Sequence, residues 1–140
     1  MRANAQEVHV GYEYNGIPSN IVSQVIGFSP MGAYIDGKGW TGAVEFFEPS
    51  ALPETTCSYS QSNLTLTGGT ASIAQEVASR VVNKKLSVVE VIGNNKTAFG
   101  YTTEWYDDNF RHVLLCAQKE YSEKTINQVV EIAKIIDKSV

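Results

Sequence analysis

The stretch KLSVVEVIGNNKTAFGYTTEWYDDNFRHVLLCAQ, Lys85 to Gln118, decides the fold. Its opening, Lys85 to Gly93, is β-branched and apolar on both faces, the composition of a central strand. Gly93-Asn94-Asn95-Lys96 then signals a turn, because Gly and Asn tolerate positive φ. From Thr97 to Tyr106, the residues Phe99, Tyr101, Thr103 and Trp105 share one face at period two. Asp107-Asp108-Asn109 is a polar loop. Phe110 to Gln118 alternates again, with Phe110, His112, Leu114 and Cys116 opposite Val113, Leu115 and Ala117. Three strands joined by short turns predict an antiparallel meander.

Two helices are expected to bracket it. Ser72-Ile73-Ala74-Gln75 has the form of a capping box, and Ile73, Ala74, Val77, Ala78 and Val81 follow at helical spacing, with Asn83 as a stop. Beyond the meander, Ser122 can cap a helix whose stripe is Ile126, Val129, Val130, Ala133, Ile136 and Val140. Ile132 and Ile135 widen that stripe. A helix with so broad an apolar face needs an apolar partner, and Phe99, Tyr101 and Trp105 supply one.

The first half alternates less cleanly. Val8, Val10, Tyr12 and Tyr14 suggest a strand ending at Asn15-Gly16-Ile17-Pro18. Residues 21–28 fit a strand or a short helix, and Ser29-Pro30-Met31-Gly32 reads as a turn. Asp36-Gly37 inside 33–40 signals a hairpin. Strand character resumes over 41–47 and again over 55–67, around a loop at 48–53. The expected fold class is α+β: a single domain with a twisted, mostly antiparallel sheet and two helices chiefly on one face. A β-rich N-terminal half precedes a β-α-β-β-β-α order.

Composition bounds the rest. The 140 residues carry 11 Lys+Arg and 15 Asp+Glu, a net charge of −4. Mild acidity disfavours a dedicated nucleic-acid binder, which works through basic patches. No apolar run approaches the roughly 20 residues of a membrane-spanning helix. Charge is uneven: Lys38 is the only basic residue between Ala3 and Ser79.

Cys57 and Cys116 are the only cysteines, without metal-ligand spacing to His9 and His112. Both fall in expected strands, and a disulfide between them suits an oxidising compartment. Ala3-x-Ala5 has the small-x-small form of a signal-peptidase site, so residues 1–5 read as the remnant of an export-signal cleavage region and 6–140 as the domain. Together these features predict an exported protein, periplasmic or extracellular.

No motif names a reaction. Cys116 and His112 lie four apart on one strand, about 13 Å along it, too far to act as a nucleophilic pair. Gly37-Lys38-Gly39-Trp40 lacks the spacing and the following helix of a phosphate loop. Glu104, Asp107, Asp108 and Asn109 read as a solvated turn, so neither a metal nor a cofactor is implied. Aromatic residues in Gly-rich loops are the better recognition candidates: Trp40, Tyr34, Tyr12 and Tyr14.

The leading expectation is a small exported, non-catalytic binding or accessory protein whose partner is another protein or a cell-envelope component. A second is a proteinaceous inhibitor of a secreted hydrolase, presenting the segment 29–56 as a loop. A third is a small hydrolase using His9 or His112 beside a carboxylate.

Overall fold

A computed structural model describes residues 10–68, 81–94 and 96–139. A single 3-10 turn (Ser19–Ile21) leads into β1 (Val22–Ile35), β2 (Gly39–Pro49) and β3 (Thr56–Asn63). A four-residue helix, α1 (Leu64–Thr67), follows; then come β4 (Leu86–Gly93), β5 (Phe99–Tyr106), β6 (Phe110–Gln118) and the long α2 (Glu123–Ser139). The six strands form one antiparallel sheet in the order β1-β2-β3-β6-β5-β4. This is an α+β fold of two three-stranded meanders, joined where β3 pairs with β6.

The second meander is the one expected from alternation, with one difference of place. β4 occupies an outer position, not a central one, because β6 takes the inner place against β3. Ile92 is accordingly 64% exposed. Gly93 is required where β4 turns into β5: its φ is +143°, and a Cβ there would lie 2.0 Å from the Ala98 carbonyl oxygen.

The first meander corrects three expectations. Ser29–Gly32 is not a turn but the middle of β1. Pro30, which has no N–H to donate, is tolerated because β1 is an outer strand with register shifts. Segment 29–56 is mostly paired hairpin rather than loop, closing through the Lys38 N–H on the Ile35 carbonyl. Residues 10–18 contribute one bridge, Val10 to Trp40, and otherwise cross the sheet as a strap without becoming a strand. The expected helix from Ser72, residues 1–5 and His9 lie outside the described residues.

Sheet register assigns the faces. Phe47, Tyr59, Leu114, Tyr101 and Trp105 point to the side where α2 buries Val129, Ile132, Ala133 and Ile136, forming one core. The strap lies on that same side. Tyr14 packs on Phe28 and donates to Glu45, and Tyr12 packs edge-on against Phe110. The opposite face presents Phe46, Leu115 and Ile92 to solvent, with Ser58, Ser60 and Ser62 between them.

Cys57 and Cys116 sit directly opposite each other on β3 and β6, Cα atoms 4.1 Å apart, and are disulfide-bonded. The bridge therefore staples the two meanders together at their shared seam. A loop closed across 59 residues removes substantial entropy from the unfolded chain, about 2–4 kcal/mol in the usual range.

Candidate functional site

Beside the disulfide, the seam holds a chain of polar side chains that is buried except at its last member, Asp107. His112 on β6 is fully buried, its ring stacked on Trp105 at a centroid distance of 4.9 Å. Nε2 of His112 lies 2.9 Å from Oδ2 of Asp107, and Nδ1 lies 2.7 Å from the Tyr59 hydroxyl. A carboxylate only accepts, so Nε2 carries the proton and donates to Asp107. Nδ1 then accepts from the Tyr59 hydroxyl. Tyr59 in turn accepts from Nε2 of Gln61 at 3.0 Å. Every step of the Gln61–Tyr59–His112–Asp107 chain has a fixed direction.

Local structure builds each member. Asp107 directly follows β5, and its Oδ1 accepts from the Asn109 and Phe110 backbone N–H groups and closes the turn. Its Oδ2 is thereby turned toward β6. Tyr59 and Gln61 are two apart on β3 and share its inner face. Burial pushes the His112 imidazole below its usual range, against the pull of Asp107, so the ring is held neutral. Burial acts to raise the Asp107 carboxyl, but the hydrogen bonds from His112 and from the Asn109 and Phe110 N–H groups hold it below the ordinary value. Burial likewise pushes the Tyr59 phenol well up, keeping it protonated.

A second acid, buried where Asp107 is partly exposed, completes the surroundings. Asp137 on α2 accepts from Lys85 Nζ at 2.6 Å, Trp105 Nε1 at 3.1 Å and Asn83 Nδ2 at 2.9 Å. Asp107, His112 and Asp137 bring ligand atoms within 4.8 Å of one another. Those atoms already satisfy each other and their neighbours, which makes the trio a hydrogen-bonded cluster more than a vacant metal cage.

The four aromatic candidates fall in two places. Tyr34 and Trp40 are cross-strand partners near the β1–β2 turn, rings edge-on at 5.7 Å, on the face away from α2. Tyr34 is 53% exposed, whereas Trp40 is half-buried. Tyr12 and Tyr14 are half-buried in the strap, with hydroxyls donating to the Gln61 carbonyl and to Glu45. Burial raises both phenols.

Sequence reasoning placed Asp107 in a solvated turn and offered His112 only as a candidate of the hydrolase reading. The available signal was their spacing: five residues apart across a tight hairpin, they can reach each other. Tyr59 carried no such signal, since its approach depends on the β3–β6 pairing. No protein-family model, curated protein or solved structure matches the chain.

Proposed function

We propose that this chain is a small exported, non-catalytic binding protein that contacts another protein or an envelope component through Tyr34 and Trp40. The observation that carries the reading is the aromatic pair itself. Two large rings sit on paired strands, one of them more than half exposed, on the sheet face that also presents Phe46. Tyr and Trp supply large contact area at little conformational cost, which suits them as anchors. The Cys57–Cys116 bond supports a compartment in which disulfides persist.

The hydrolase alternative has His112 beside a carboxylate, as it requires. Both ring nitrogens are engaged, however, and the ring has no exposed surface to offer a substrate. The test is capture of a partner from an envelope or extracellular fraction, comparing the unaltered protein with Tyr34→Ala. Tyr34 contributes little to the core, so the variant should fold normally. A partner retained by the first and lost by the second is expected; equal retention overturns the assignment of the surface.

A further inference from the structure

α2 and the connection from β2 to β3 do not close on each other. Between them runs a groove of about 360 Å³, lined by Ile21, Ala51, Ile132 and Ile135 and bordered by polar side chains. Its surface is almost wholly apolar, and its size falls at the lower end of the range for small-ligand pockets. Lys124, Gln128, Glu131 and Ile135 follow at helical spacing, so a single stripe of α2 makes one wall. At 1.5 Å per residue that wall runs about 16 Å from Lys124 to Ile135. Ile21 and Ala51 belong to the facing wall, and two hydrogen bonds brace it. The Ser50 N–H donates to the Ile21 carbonyl at 2.9 Å, and Gln128 Nε2 reaches across from α2 to the Ala51 carbonyl at 3.5 Å. Ile135 is left 39% exposed there, although its neighbour Ile136 is fully buried. An alkyl chain laid along this wall would leave water together with the isoleucine side chains.

The charges on the border select the head group. Among the described residues, Lys124 and Glu131 are the two charged side chains lining the groove. Glu131 is matched by Lys134 at 3.0 Å, one turn along the helix. Lys124 is exposed and makes no ion pair among the described residues. The groove is therefore an apolar trough with an unmatched positive charge at the end where α2 begins. A ligand with an apolar chain and an anionic head meets both features. An alcohol of the same chain would leave the lysine unused, and an ammonium head would be repelled by it. The length of the wall suits a chain lying along the helix better than a single inserted side chain.

We propose that this groove binds a free single-chain carboxylate of the fatty-acid type, its alkyl chain against Ile21, Ala51, Ile132 and Ile135 and its carboxylate paired with Lys124. The site is independent of the Tyr34–Trp40 surface, which lies on the opposite face of the sheet. The probe is sodium decanoate, kept below its micelle concentration and titrated at pH 7.5 and constant low ionic strength into ¹⁵N-labelled protein. Saturable shifts are expected for the backbone of Ile21, Ala51, Gln128 and Ile135. Octanoate, two methylenes shorter, should bind roughly tenfold more weakly. Decanol should bind about threefold more weakly than decanoate, and Lys124→Gln should abolish that difference, as the loss of one exposed charge contact implies. Ile135→Gln should weaken both ligands. Lys124 and Ile135 are exposed, so both variants should fold, which thermal unfolding checks. Tyr34→Ala should bind decanoate like the unaltered protein. Four results would each overturn the proposal: no saturation, affinity independent of chain length, equal binding of decyltrimethylammonium, or unchanged affinity in Ile135→Gln.

Discussion

The two meanders are built alike but covered differently. β4, β5 and β6 lie under α2, and each of their two ladders runs through eight consecutive residue pairs without a break. β1 and β2 lie partly under the strap of residues 10–18, and their ladder shifts register three times. A regular amphipathic helix buries a regular sheet, because helix and strand periodicities each present one continuous apolar surface. The strap presents no such continuous apolar surface. Its tyrosines reach into the sheet singly, Tyr12 to Gln61 and Phe110, Tyr14 to Glu45 and Phe28. The outer strands differ in the same sense. β1 is blunted by Pro30 and bulges, devices that discourage further strand pairing, whereas β4 is regular to its end.

The sharpest way to break this comparison is to remove one anchor from each half. Trp105 is fully buried under α2 and donates to Asp137, so Trp105→Ala should cost about 3–5 kcal/mol. Tyr14 is only half-buried between the strap, to which it belongs, and the sheet, and Tyr14→Ala should cost roughly 1–2 kcal/mol. Urea unfolding of both variants checks the contrast. Equal losses would mean that the strap carries as much of the core as the helix does.

The staple between the halves comes next in size. Replacing both cysteines, Cys57→Ala with Cys116→Ala, should lower stability by about 2–4 kcal/mol. The same measurement on the reduced, unaltered protein separates the bond from the packing of the sulfur atoms. A loss under about 1 kcal/mol, within the worth of one ordinary hydrogen bond, would show that the β3–β6 ladder holds the seam unaided.

Legibility followed the same division. The second meander and α2 could be read because burial there repeats at period two and period 3.6, and each repeat is visible locally. The strap was misread as a strand because Val10, Tyr12 and Tyr14 do alternate. Their alternation reflects tyrosine hydroxyls meeting Gln61 and Glu45, not a ladder. Ser29–Gly32 was misread because Pro and Gly usually end a strand, and nothing local reveals an outer position with bulges. The disulfide was readable from an even cysteine count. Its place on directly opposed residues, like the meeting of Tyr59 with His112, depended on a β3–β6 pairing between strands some fifty residues apart. Such non-local register leaves no mark in any short window.

The smallest expected effect concerns that pairing, through pH. Folding buries the His112 imidazole neutral, with its pKa below the usual 6.5, while the unfolded chain takes up a proton near that value. Between the two values the unfolded chain binds more protons, so stability rises with pH across this window. The contribution is fully present above about 6.5 and is lost as pH falls through the folded value. Lys85 and Asp137, the other charges facing the ring, act in opposite directions. Asp107→Asn removes the carboxylate that favours the imidazolium, and should move the titration of His112, followed by its ring resonances, still lower. If His112 instead titrates above 6.5 in the folded protein, the seam carries a charged imidazolium. The fixed direction from Gln61 to Asp107 would then be lost, because Tyr59 would have to accept from His112 and turn its own proton toward Gln61.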